Sequence, residues 1–247
     1  MISPDQLQDD LIQAQKSHGG LSNWNKIESI TLEEAQVNGF VLRIKGLGIT
    51  FHVPKKVMVF PKKLRAEFPD YPKKGKMCVY ENGTVSVFIS GTGEKIFEKN
   101  HYRSRFSGFK KNRFWSTSDA AYFLGYSVVN YLCLPFILTG PAKCIASRRS
   151  SPSNNEFQIT AEFPSNFDTH CKVQKFTFNK NGLLYRHDYN ANILGWWANG
   201  AHLSYDYRIL NGLPISTRRR VYPVYFGIRI PIAVIKVRYQ PVEIRYR

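Results

Sequence analysis

The stretch AHLSYDYRILNGLPISTRRRVY, residues 201–222, decides the fold. Two runs of β-prone residues flank Asn211-Gly212, a dipeptide that readily takes the positive φ angles of a type I′ turn, whose twist matches that of paired antiparallel strands. The stretch reads as a β-hairpin. The same dipeptide recurs at Asn38-Gly39 between ITLEEAQV and FVLRIKG, at Asn82-Gly83 between MCVYE and TVSVFI, and at Asn181-Gly182 between VQKFTFNK and LLYRHDY. A fifth, Asn199-Gly200, opens the strand after Trp196-Trp197. One Asn-Gly can mark any loop, but four set between Val/Ile/Tyr/Phe/Thr runs predict an antiparallel meander.

Period-two alternation on the first arm places His202, Ser204, Asp206 and Arg208 on one face and Ala201, Leu203, Tyr205 and Tyr207 on the other. The second arm places Ser216, Arg218, Arg220 and Tyr222 together, opposite Ile215, Thr217, Arg219 and Val221. If the polar faces pair, arginine and aspartate neutralise one another beside imidazoles. His170 and the run Tyr185-Arg186-His187-Asp188-Tyr189 belong to the same polar third of the chain.

Two segments break the β pattern. Residues 4–17 start with Pro4 behind Ser3, carry early acids, and space Leu7, Leu11 and Ala14 as a helix does before Gly19-Gly20. Residues 118 to about 134 begin with Ser118 and Asp119 and are apolar on nearly all sides, as a buried helix is. The uncharged run 120–142 is long enough for a bilayer, yet Ser127, Asn130, Pro135 and Gly140 make it a core helix that stops at the proline. Ser147 to Asn155 reads as a surface loop.

At 247 residues, with 43% hydrophobic positions and 17 Phe, 14 Tyr and 4 Trp, the chain can bury a large core and is expected to form one unit over residues 1–247. Thirty-five bases against eighteen acids leave +17, distributed as −2 over residues 1–50, +12 over 51–150 and +7 over 151–247. Such a surface attracts anions, so weak contact with an anionic surface is one reading; solubility is the other. No basic-aromatic RNA motif is present, so no specific nucleic acid is expected. The first twenty residues hold three Asp and no apolar run, which is not a secretory signal as written, so the expected location is the cytoplasm.

Four separated cysteines form no zinc pattern, and neither a Walker A loop, H-E-x-x-H, G-x-S-x-G nor G-x-G-x-x-G occurs, so no metal and no cofactor are expected. What remains is the polar cluster, read as a ligand-facing wall, as a solvated outer face or as a buried structural network. As a ligand-facing wall, His187, His202 and Asp206 would carry proton transfer, while Arg218 or Arg220 would hold a carboxylate or phosphate. As a solvated outer face, the same residues make routine cross-strand pairs.

His18-Gly19-Gly20-Leu21 with Trp24, Leu134-Pro135-Phe136, Phe163-Pro164, Thr169-His170, Gly182 to Tyr189, Ala201-His202 and Gly212-Leu213-Pro214 through Tyr222 resemble a family of uncharacterised bacterial proteins, itself similar in fold to LolA-type lipoprotein carriers. The resemblance implies an α+β fold: a curved antiparallel sheet, an unclosed LolA-like β-barrel, covered by helices and holding a hydrophobic ligand in its concavity. The residues expected to bind the ligand are His170, Tyr189, Arg218, Arg220, Tyr222, Tyr122 and Phe136. A related fold also serves a cofactor-free enzyme of the violacein pathway that acts on an aromatic anion. The expected partner is a hydrophobic or aromatic anionic small molecule, with a cofactor-independent enzyme of small-molecule metabolism as the alternative.

Overall fold

The computed structural model describes residues 4–149 and 155–247. One antiparallel sheet runs through them in the spatial order Lys95–Lys99, Thr84–Ile89, Lys76–Glu81, Arg65–Pro69, Val57–Phe60, Ile27–Asn38, Ile235–Tyr246, Leu213–Tyr225, Asn199–Leu210, Leu184–Asn190, Val173–Phe178, Phe157–Glu162, Lys143–Arg149, with Ile228–Arg229 beside Leu213–Tyr225. Two meanders of sequence neighbours, 27–99 and 143–225, are therefore joined where the first strand pairs with the last. Lys95–Lys99 and Lys143–Arg149 remain unpaired edges, so the sheet curls without closing.

The turn chemistry explains most of this connectivity. Asn82-Gly83 and Asn211-Gly212 are two-residue turns with φ of 42° and 82°, and 48° and 80°, between the pairs Glu81/Thr84 and Leu210/Leu213. Asn181-Gly182 also joins two strands, but through a longer loop in which Asn179 N–H donates to the Leu183 carbonyl and Gly182 has φ 74°. Asn38-Gly39 departs from the expectation. FVLRIKG is no strand; Phe40–Arg43 is one turn of helix, and Gly39 at φ 146° lies under Val234, whose carbonyl oxygen would sit 2.1 Å from any Cβ there. Tertiary packing, not a hairpin, holds that glycine.

The helix Pro4–Ser17 lies over Lys143–Arg149 and Phe157–Glu162, with Leu11 and Ala14 buried. Its Asp10 accepts from Ser147 Oγ and from Arg149 Nη2, the latter at 2.5 Å. Ser147–Arg149 is thus strand rather than loop; Ser3 and residues 150–154 lie outside the described residues. The helix Thr117–Cys133 fills the concavity against Arg65–Pro69 and Lys76–Glu81. Its cap is Ser116, two positions before Ser118: Ser116 Oγ accepts from Asp119 N–H at 3.2 Å and Asp119 Oδ2 accepts from Ser116 N–H at 2.8 Å. Gly125 permits the close approach to Tyr80, whose Cβ would lie 2.4 Å from an added methyl. The helix stops at Cys133, before Pro135, and among the described residues no helix is long and apolar enough to cross a membrane.

Candidate functional site

The hairpin Asn199–Tyr225 carries the polar cluster, and one backbone angle decides which of its residues face inward. His202 and Ser204 point into the concavity and are buried. Strict alternation would send Asp206 and Arg208 after them, but Asp206 adopts φ 52° and turns the phase over. Tyr207 takes the inward place, its hydroxyl donating to the Leu184 carbonyl at 2.5 Å. Asp206 emerges on the convex face, where Arg218 Nε and Nη2 donate to its carboxylate at 2.6 and 3.0 Å. The Arg218 guanidinium also lies 4.8 Å over the Tyr205 ring.

Inside, imidazoles and phenols form a continuous network. The His170 ring is held between Tyr126 and Tyr131, with Tyr126 Oη 3.2 Å from Nδ1 and Tyr131 Oη 2.6 Å from Nε2. Tyr131 Oη is 3.3 Å from Tyr189 Oη, which is 3.4 Å from His202 Nδ1. His187 pairs directly with His202 across the strands and has Nε2 2.6 Å from Gln174 Oε1. Two ring nitrogens, His202 Nε2 and His187 Nδ1, are buried with no hydrogen-bond partner among the described residues.

Burial sets the protonation of this network. The His170 pKa is pushed down to about 3 by loss of water, with the Arg103 charge adding to it. Burial also holds His187 and His202 well below the usual histidine value, helped by His170 for the first and by Arg219 for the second. Tyr131 and Tyr189 move the opposite way, again by burial, and keep their protons.

Among the described residues that line the cleft, Arg219 is the one charged side chain. It is 5% exposed, donates from Nε to Tyr239 Oη at 3.1 Å and from Nη2 to the Tyr131 carbonyl at 3.4 Å, and lies 5.0 Å over the Tyr131 ring. Among the described residues it has no acidic partner. A narrow cleft of about 750 Å³, mouth included, opens in front of Arg219 and His202, between Tyr131, Tyr189 and Tyr239 and the apolar side chains of Leu32, Val57, Phe68, Phe123 and Val128. A second open recess of about 700 Å³, mouth included, shares Phe123, Tyr189, Val221 and Ile235 with it as a common wall.

Of the residues expected from sequence, His202 and Tyr189 line the cleft, while His170 and His187 stand in the layer behind. Asp206, Arg218, Arg220 and Tyr222 are corrected to the convex face: Asp206 by its left-handed backbone, the others because Arg219 and Val221 occupy the inward positions between them. Tyr122 and Phe136 are core. Tyr122 stacks on Tyr102 and Phe106 and donates to Asp168 at 2.7 Å, and Phe136 stacks on Trp24 at 4.4 Å. Arg219, Tyr131 and Tyr239 were missed. The signal for two of them was available, since Arg219 alternates with Val221, and Tyr239 with Ile235 and Val237.

No protein-family model matches the chain, and no curated protein matches it in sequence. Among solved structures, a LolA superfamily protein from Nitrosomonas europaea superposes with a TM-score of 0.50 at 9% identity, over 97% of this chain and 93% of that one. The fold is LolA-like. A DUF1329 family protein from Desulfovibrio piger also matches, at a TM-score of 0.44 and 13% identity, over 97% of this chain and 92% of that one. The LolA-like architecture, an unclosed antiparallel half-barrel with few helices, agrees with the α+β expectation.

Proposed function

We propose that the LolA-like concavity binds an amphipathic small molecule with an anionic head, seated with its acid group at Arg219 and His202 and its apolar body along Leu32, Val57, Phe68 and Phe123. The observation that carries this reading is Arg219: a guanidinium buried without a carboxylate, at the end of an otherwise apolar cleft. Burying a charge costs several kcal/mol, on the order of the whole margin of a small domain, unless an opposite charge compensates it. A ligand carboxylate supplies that charge. With Tyr189 donating to His202 Nδ1, the neutral imidazole carries its proton on the unpartnered Nε2, a second donor for the same acid group.

The enzyme alternative draws less support. A general acid or base works best with a pKa near the working pH, whereas burial holds all three inner histidines far below it. Asp206, Arg218 and Arg220 face away from the cleft.

Native mass spectrometry of the purified protein tests for a co-purified acid, and thermal unfolding tests added ligand. Dodecanoate is expected to raise stability, by about 2.7 kcal/mol at a hundredfold excess over Kd. Dodecanol, with the same chain and no charge, should do far less. No shift with dodecanoate or with aromatic carboxylates, and no retained molecule, would sink the reading.

A further inference from the structure

Residues 223–234, PVYFGIRIPIAV, leave the sheet as a short hairpin in which Tyr225 pairs with Ile228 around Phe226-Gly227. Phe226 has φ 49°, in a turn position where Asn or Gly costs less, and its side chain is wholly exposed at 103%. Ile228 and Ile232 beside it are exposed as well. Neither the core nor the turn asks for these side chains. Phe40 of the short helix and Ile44 just after it, with Leu194 and Trp197 of the loop before Asn199, line one recess with Tyr225 and Val234, so three apolar loops meet here. Trp196, next to Trp197, is 87% exposed.

Below this tip the convex face is basic. Arg218 stands opposite Arg238 and Arg220 opposite Lys236 in adjacent strands, and the Arg229 guanidinium lies 5.1 Å over Tyr222. Asp206 pairs with Arg218; Arg220, Arg229, Lys236 and Arg238 have no acidic partner among the described residues.

We propose that this hairpin docks the protein on an anionic lipid bilayer, with Phe226, Ile228 and Ile232 entering the boundary between headgroups and acyl chains and Arg220, Arg229, Lys236 and Arg238 meeting lipid phosphates. An apolar tip on a basic shank matches the layering of that surface, apolar within and anionic at the rim. A nucleic acid would engage the bases and leave the isoleucines in water. A second copy would bring one basic stripe against another. The docked tip sets the second recess, and through its common wall the Arg219 cleft, beside the acyl region. The docking argument itself does not depend on what the cleft binds.

Co-sedimentation with vesicles of 70% phosphatidylcholine and 30% phosphatidylglycerol, against pure phosphatidylcholine, tests this. The protein is expected to pellet with the anionic vesicles, with Ile228→Asp/Ile232→Asp weakening the partition at least tenfold and Arg220→Ala/Lys236→Ala weakening it several-fold and flattening its salt dependence. Ile228, Ile232 and Lys236 are exposed and Arg220 is half-buried on the convex face, away from the cleft, so circular dichroism and the dodecanoate stability shift should match the parent protein, which keeps this test separate from the ligand reading. Failure to pellet with anionic vesicles, or pelleting indifferent to Ile228→Asp/Ile232→Asp, would overturn the proposal. So would a duplex-DNA affinity that exceeds vesicle affinity and ignores those substitutions, or a dimer in sedimentation velocity that they disperse.

Discussion

Arg218 and Arg219 are adjacent in sequence and on opposite sides of one strand. Arg218 closes on Asp206 at 2.6 Å in contact with water, a pair that contributes little because solvent screens it and both side chains lose freedom. Among the described residues, Arg219 meets a phenol, a carbonyl and an aromatic face and has no acid to offset its desolvation. The convex charge is explained by the fold alone. The concave charge is not, and the functional reading rests on that difference.

The largest expected contrast between the faces is with pH. His18, His170, His187 and His202 are interior and their pKa values are depressed by burial, to about 4 for His18 and about 3 for His170. The folded chain therefore binds fewer protons than the unfolded one below the ordinary histidine value. Stability should be fully present above pH 6.5 and fall as pH drops from 6.5 towards 4, with a slope of up to about 1.4 kcal/mol per pH unit for each histidine. Asp206, held low by its bond to Arg218, titrates below this window and should contribute nothing within it. Urea unfolding at pH 7.5, 6.0 and 5.0 reads the slope; a flat profile would break the account of the interior.

Packing comes next. Tyr189→Ala removes a buried ring stacked 3.9 Å from His170 and should cost about 3 to 5 kcal/mol, whereas Tyr222→Ala on the convex side should cost less than about 1 kcal/mol. Equal denaturation midpoints for the two variants would show that the faces have been assigned wrongly. A smaller effect, with an unusual sign, concerns the arginines themselves. In ligand-free protein Arg219→Met should leave the unfolding free energy unchanged or raise it by about 1 kcal/mol, since a buried unpaired charge is replaced by a chain of similar length. The smallest change is Asp206→Asn, which keeps a residue tolerant of the left-handed backbone and loses only the exposed pair, so its denaturation midpoint should match that of the parent protein.

Much of the fold was legible because turn chemistry is local. Asn82-Gly83 and Asn211-Gly212 carry their φ angles with them, and Pro4–Ser17 announces itself by its spacing. Asn38-Gly39 uses the same dipeptide but answers to Val234, nearly two hundred residues away, which no local pattern reveals. The site was legible in part for the same reason. The inward place of His202 follows from alternation, but the φ of Asp206 resets that alternation partway along the strand, and a single reversed residue exchanges the faces of all that follow. Tyr131 comes from the helix across the concavity, so its place beside His202, at 4.5 Å between ring centres, is a product of tertiary packing.

The central claim is that Arg219 makes the cleft selective for an acid, and calorimetric titration of dodecanoate and dodecanol into the parent protein and into Arg219→Met measures this most directly. The parent should prefer dodecanoate by at least tenfold, the difference expected from about 1.5 to 3 kcal/mol of charge-assisted hydrogen bonding, and Arg219→Met should lose that preference while still binding dodecanol. An acid preference that survives Arg219→Met would contradict the account.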